Sequence, residues 1–322
     1  MTTHILAQNC SAPRPLAILA TASGCRPRRP PARRIPEIPS NEIDVILPVK
    51  HYVPRHLLEA VDSVMRQTAG TWQLLVMADV SVEAKVEALL RDALSDRRCL
   101  LFTVSTPNLA ATINAGMERV TSNFVTLLLG DDLIADNTIE VLQQAIHDHP
   151  DADFFHSSRS VIDGEGNSIS SVHPSRTDFV WNDFLYGSPV KHLLCWRLEA
   201  ARAIGGVDET LWTSGPDDYD FPWRMFESGA VFRGLPECLY IYRNHIDGFR
   251  MTTHHPATIQ LLAIRMILRK HGLGYWRSWF VTFRRWRMGS GSQSIYSSTW
   301  NRRLLGLVGY DASRSWSQQT YR

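Results

Sequence analysis

Apolar positions in this chain first fall into a regular pattern at Ile43. The run IDVILPV is short, rich in β-branched residues and bounded by Pro48, which predicts a buried strand. HLLEAVDSVMRQ then switches to helical spacing, with Leu57, Ala60, Val61 and Val64 on one face. The alternation continues: TWQLLVMADVS reads as a second strand running into Asp79, 82–94 as a helix, 100–104 as a third strand and 112–120 as a short helix. Residues 124–129 read as a fourth strand and 139–147 as another helix. DADFFHSSRSVIDGEGNSIS reads as two strands joined by a Gly-rich turn. Strands that alternate with helices need crossover connections, so the pattern predicts an α/β fold around a Rossmann-like, mostly parallel sheet. No internal repeat is visible.

The stretch FVTLLLGDDLIAD is the chemical centre of this pattern. Asp131 and Asp132 are adjacent carboxylates just past an apolar strand, where they repel each other and burial favours their neutral forms. A hard divalent cation, Mn²⁺ or Mg²⁺, resolves that conflict, because such ions take oxygen ligands from one or two carboxylates and from substrate phosphates. The strand's carboxyl end is also where open α/β sheets bind ligands. The plainer reading is a helix cap, since Asp136 and Asn137 precede the next helical pattern.

Composition adds bounds. With 322 residues, 44% of them hydrophobic, the chain can bury one sizeable core. No apolar run reaches the roughly 18 residues that a membrane-spanning helix needs. The apolar patch near 16–22 lacks a preceding basic segment, which argues against a signal peptide. The five cysteines are scattered with no CxxC pair, so neither a zinc site nor a disulfide framework is expected, and a reducing, cytoplasmic setting fits. The net charge of +2 hides an asymmetry: 1–40 carries +5, 257–322 carries +10, and 41–256 carries −13. The first 40 residues, with PRRPPARR, read as a disordered basic Pro/Arg-rich arm.

Taken in order, LPVKHYVPRHLLEAVDSVMRQT, LLVMADVS, NLAATINAG and LLLGDDLIADN resemble the motifs of glycosyltransferase family 2. AARAIGGVDETLWTSGPDDYDFPWRMFESG and YIYRNH resemble the same family's acceptor-side motifs. The resemblance implies a GT-A fold over 41–256, with a nucleotide-sugar-binding half at 41–136 and an acceptor-binding half at 137–256. It also implies inverting transfer from a nucleotide-diphosphate sugar, UDP- or dTDP-linked by family habit, to a hydroxyl of a glycan, a lipid-linked carrier or another acceptor.

Residue by residue, the resemblance carries metal binding to Asp132 first, with Asp131 as a ribose or second metal contact. Leu129 stands where the family's first acid is usual. Pro48, Val49 and Asp79 match the base pocket, with Ala78 in place of another acid. Asn108 and Asn114 match polar positions around the donor. Asp218 matches the catalytic base, Asp217 stands where Glu is usual, and His245 matches a histidine that reaches the metal or diphosphate. Trp181 and Trp212 are candidates to stack on a sugar ring beside Asp217 on the acceptor side. For each there is a plainer use: a helix N-cap for Asp79, Asp217 and Asp218, core packing for the tryptophans.

Beyond the resemblance, Trp276, Trp279, Phe280, Phe283 and Trp286 recur at helical spacing with Arg277, Arg284, Arg285 and Arg287 between them. This predicts a basic, aromatic-rich helical region over 257–322. Its stripe, 276–287, either makes a peripheral contact with the cytoplasmic membrane face or packs on the catalytic domain or a partner subunit. A nucleic-acid polymerase reading of GDD leaves PDDYD and YRNH unexplained, so no nucleic-acid partner is expected. A degenerate transferase domain that only binds sugars or a partner is the remaining alternative, kept open by Leu129 and Ala78.

Overall fold

A computed structural model describes residues 43–211, 216–244 and 257–289, with the side chains of 216, 257–260 and 286–289 left undescribed. The basic arm at 1–40, Trp212, His245 and the side chains of Trp286 and Arg287 therefore lie outside the described residues.

Three strands, β1 (Ile43–Val49), β2 (Trp72–Asp79) and β3 (Cys99–Val104), pair in parallel, and β4 (Phe124–Leu127) pairs in parallel with β1 on its other side. The crossovers are α1 (Pro54–Met65), α2 (Glu83–Leu89) and α3 (Leu109–Met117). α1 starts at a proline, whose missing N–H costs nothing in a first helical turn, and buries Leu57, Ala60, Val61 and Val64 as the pattern predicts. Two crossover helices differ from the sequence reading: α2 ends at Leu89, and α3 starts three residues earlier than expected. The cause at α3 is Asn108, whose Oδ1 accepts from Ala111 N at 3.0 Å and caps the first turn. Gly116 then lets α3 lie close on β1, because a Cβ there would sit 2.9 Å from the Ile46 side chain.

The second half is mixed. After a two-residue strand β5 (Leu133–Ile134) and α4 (Thr138–Asp148) come β6 (Phe154–Ile162), β7 (Leu194–Arg197), α5 (Leu198–Ala203), α6 (Phe221–Glu227) and β8 (Phe232–Arg243). The sheet order is β3-β2-β1-β4-β7-β6-β8-β5. β7 runs antiparallel to β4 and β6, and β5 antiparallel to β8. The expected two-strand ribbon after Asp151 is corrected: β6 forms, with its register on β8 shifting at 157–159, but its return makes only isolated bridges, Ile162 to Ser168 and Arg159 to His173.

Apolar side chains on the sheet's two faces form separate cores, one under α1 and α4, the other under α3 and α6. A third cluster joins Phe184, Tyr219 and Trp223 to Ile267, Leu268 and Val281 of the C-terminal helices α7 (Ala257–Lys270) and α8 (Tyr275–Gly289). The predicted helical extension is thus present over 257–289 and packs on α6 and the segment around Phe184.

Candidate active site

β1, β2 and β4 end on one edge of the sheet, which brings Val49, Asp79 and the Asp131–Asp132 turn together. That turn lies against β1: a Cβ added at Gly130 would be in ordinary contact, 3.8 Å from the Pro48 carbonyl. Pro48 is partly exposed and Val49 buried, so β1 offers a proline surface and backbone here. Asp79 follows with a short turn: Ser81 donates to its Oδ1 from N at 3.0 Å and from Oγ at 2.6 Å, and Lys50 Nζ lies 3.0 Å from Oδ2. The two Ser81 bonds, helped by Lys50, hold the Asp79 carboxyl down at about 2.

The adjacent acids separate sharply. Asp132 is fully buried, and both of its oxygens are used by the protein: Tyr240 Oη donates to Oδ2 at 2.7 Å and the Arg243 N–H to Oδ1 at 2.7 Å. Burial first, and the neighbouring Asp131 second, push its carboxyl up to about 7. Asp131 is partly exposed at the sheet edge. Arg243, itself 2% exposed, fixes the turn by donating from Nε to the Asp131 carbonyl at 2.8 Å while its other end meets Glu59. The expectation that puts the metal on Asp132 first thus meets a fully buried carboxyl whose two oxygens each accept a protein hydrogen bond, beside a partly exposed Asp131.

The second acidic segment is a π turn, Pro216–Asp220, leading into α6. Its three acids have three environments. Asp217 is buried with His192 Nε2 3.4 Å from its Oδ2. Asp218 is partly exposed. Burial and the Asp217 charge raise its carboxyl above the usual range, opposed by His192, Lys191 and Arg159. Asp220 is fully buried, bound by Arg224 Nε at 2.9 Å, Lys270 Nζ at 2.8 Å and His271 Nε2 at 3.1 Å. Despite burial, these partners hold its carboxyl below the ordinary range.

The two acidic turns share a wall. The His192 ring stacks on Tyr240, 5.2 Å between centroids at 29°, so Tyr240 touches Asp132 with its hydroxyl and His192 with its ring. His192 in turn faces Asp217. Arg159 lies over Tyr242 at 5.1 Å and within electrostatic reach of both Asp218 and Asp132. Lys191 beside it is lowered to about 8, by burial and then by Arg159. Sequence reading missed Tyr240, Arg243, His192, Lys191 and Arg159. The YIYR segment contains the first two, where attention falls on His245. The other three stand in no motif.

The remaining candidates serve the scaffold. Asn108 caps α3 and donates from Nδ2 to the Glu209 carbonyl at 2.8 Å. Asn114 clamps the next loop, accepting from Val207 N at 2.8 Å and donating to Val207 O at 2.9 Å and Glu209 Oε1 at 2.8 Å. These bonds tie both amides to the 207–209 loop, which gives each of them a role in the scaffold. Trp181 gives its indole N–H to Glu227 Oε1 at 2.7 Å and meets the Trp223 ring edge-on, so it closes the third core. Among the described residues no group of three or more His, Cys, Asp and Glu is placed to hold a metal ion.

A parallel nucleotide-side half whose strands end at an acidic turn, closed by a mixed half with its own acids, is the GT-A arrangement. Comparisons with known proteins agree. Residues 44–197 match the model for glycosyl transferase family 2. The chain is 30% identical over 207 residues to the uncharacterized protein y4gI of Sinorhizobium fredii, covering 62% of this chain and 22% of that one. It is 26% identical over 199 residues to the putative glycosyltransferase EpsE of Bacillus subtilis, covering 61% of this chain and 71% of EpsE. It therefore spans less than a quarter of the first relative and most of the second. Among solved structures, S. aureus TarS 1–349 in complex with UDP-GlcNAc superposes with a TM-score of 0.58 at 13% identity, covering 80% of this chain and 76% of that one. Residues 44–197, just under half of the chain, are thus similar to glycosyltransferase family 2.

Proposed function

We propose that this chain is an inverting, metal-assisted glycosyltransferase that moves a sugar from a nucleoside-diphosphate donor, UDP- or dTDP-linked, to an acceptor hydroxyl. The observation that carries the reading is the wall formed by Tyr240 and His192, which joins the Asp131–Asp132 turn to the Asp217–Asp218 turn. Leaving-group stabilisation and base catalysis must act on opposite sides of one anomeric carbon, and two carboxylate turns joined in this way suit that need. The UDP-GlcNAc held by TarS supports a nucleotide-sugar donor.

Asp79, kept ionised, retains lone pairs to accept a ring N–H of a pyrimidine base stacked near Pro48. Mn²⁺ or Mg²⁺ fits the donor set in a limited way: Asp131 supplies one hard oxygen ligand, and ions of this kind commonly complete their shells with substrate phosphates and water. When bound, such an ion neutralises charge developing on the departing diphosphate. Asp218 takes the proton of the acceptor hydroxyl as that oxygen bonds to the anomeric carbon. The bond from that carbon to the phosphate oxygen breaks with its electron pair, leaving an inverted glycoside, a nucleoside diphosphate and a protonated Asp218. An elevated carboxyl is the stronger base, while His192, Lys191 and Arg159 oppose the rise.

Donor binding and hydrolysis across a nucleotide-sugar panel, with Mn²⁺, with Mg²⁺ and with chelator, tests this. One donor should bind with metal, Asp131→Asn should lose that metal-linked binding, and Asp218→Asn should keep binding and lose turnover. A second reading is favoured by Leu129 and Ala78, which stand where acids are usual: a domain that binds sugars or a partner without turnover. Failure of every donor with every metal would decide for it.

A further inference from the structure

The α7–α8 hairpin has two faces of opposite character. Its inner face holds the turn that carries Asp218. Lys270 and His271 bind Asp220, the His271 ring stacks on Trp223 at 3.9 Å, and Arg285 Nη1 donates to Tyr219 Oη at 2.8 Å. Ser278, Val281 and Thr282 of α8 are buried on this side.

The outer face is apolar and open. Met266, Trp276, Trp279, Phe280 and Phe283 are all exposed, Trp276 at 82%. On α8 they fall at successive three- and four-residue steps, so they share one stripe opposite the buried one. Arginines border it: Arg265 lies 4.3 Å over the Tyr275 ring and 4.8 Å over Trp279, and Arg284 lies 5.6 Å over Phe280. Residues 257–289 contain seven Lys and Arg and no Asp or Glu.

We propose that this outer face docks on the surface of an anionic lipid bilayer, with both helices lying in the interface. Aromatic side chains amid arginines suit the boundary between headgroups and acyl chains, where apolar burial and attraction to anionic lipid add. Arg stems also lie along apolar surface while their heads reach phosphates. Among the described residues no helix is long and apolar enough to cross a membrane, so the hairpin lies on the bilayer rather than through it. A second copy of the chain is a poor occupant, because its own hairpin brings the same excess of Arg over acidic residues. The consequence that Asp218 works beside the lipid surface, on a lipid-linked or membrane-held acceptor, rests on the transferase reading. The docking itself does not.

The test is co-sedimentation of the full chain with vesicles of phosphatidylcholine alone and of phosphatidylcholine with about one third phosphatidylglycerol. The expected result is binding to the anionic vesicles, weakened by salt and reduced at least about tenfold in Trp276→Ser/Phe280→Ser, whose fold by circular dichroism and whose donor affinity stay unchanged. Arg277→Gln, at an exposed position on the same helix, should weaken binding to anionic vesicles further. No sedimentation with either vesicle overturns the proposal, as does equal sedimentation of the double variant. So does a dimer that the double variant converts to monomer, which would assign the face to a second copy. A chain that binds vesicles but no donor would sink the transferase reading alone.

Discussion

Tyr240 donates its phenolic proton to Asp132 Oδ2 at 2.7 Å, joining β8 to the turn after β4 across 108 residues of sequence. The contact leaves Asp132 buried with both oxygens hydrogen-bonded, beside a partly exposed Asp131. Tyr240→Phe keeps the ring on His192 and removes the hydroxyl, which donates to Asp132 and accepts from Leu129 N at 3.4 Å. A buried carboxyl oxygen then loses a partner, so the variant should unfold about 1–3 kcal/mol more easily by chemical denaturation. A variant as stable as the parent would show that Asp132 is no part of the scaffold.

Asp218→Asn should lower turnover by about 10²–10⁴-fold, the range for loss of a general base, with donor affinity unchanged in a calorimetric titration. Asp217→Asn leaves Asp218 in place and disturbs only its charged neighbour and His192, so its loss should be smaller. Equal losses would mean that the pair acts as one unit.

Arg285 tests the inner face of the hairpin separately from the outer one. Arg285→Gln removes the donor to the Tyr219 hydroxyl, which keeps its bond to the Phe184 carbonyl, and should reduce kcat more than donor affinity, with partition onto anionic vesicles unchanged. A drop in vesicle binding with unchanged kcat would reverse the assignment of the two faces.

His271 provides a pH test. Burial pulls its imidazole down, but Asp220 and Glu227 together more than reverse this and raise it above the usual histidine range. The folded state therefore binds the proton more tightly than the unfolded chain does. Its contribution to stability is complete below the unfolded value of about 6.5 and is lost as pH rises through the elevated folded value. Melting temperature should fall across that window, and His271→Asn should flatten this part of the profile. An unchanged profile would remove His271 as its source.

Gly206→Ala probes the loop that Asn114 holds. Gly206 has a φ of 70°, and an added Cβ would lie 2.5 Å from Asn114 Oδ1. Strain and collision together should cost about 1–3 kcal/mol. Asn114→Ala should lower stability similarly and leave donor affinity unchanged, whereas a donor contact at Asn114 would show as weaker binding without loss of stability.

Much of the molecule is legible in the chain by itself. Local apolar periodicity determined β1 to β4, α1, α4 and the α/β class, because those elements report burial at a spacing of two or of 3.6 residues. The ordered motifs located both acidic turns and pointed to the family. The spacing of Trp276, Trp279, Phe280 and Phe283 determined that one face of α8 is aromatic. What the sequence left open is how residues distant along it divide their labour. Asp131 and Asp132 are identical in type and adjacent, and only the approach of Tyr240 and Arg243 from β8 decided which one is buried. Asn108 and Asn114 read equally well as ligand contacts or scaffold until Val207 and Glu209 occupied their amides. The aromatic stripe carried no signal of whether its helix packs or stays open. The third core decided that, by burying one side of α8 and leaving the other to solvent. Hydrogen-bond partners and burial are set by chain segments meeting in space, and that meeting is what no single stretch of sequence encodes.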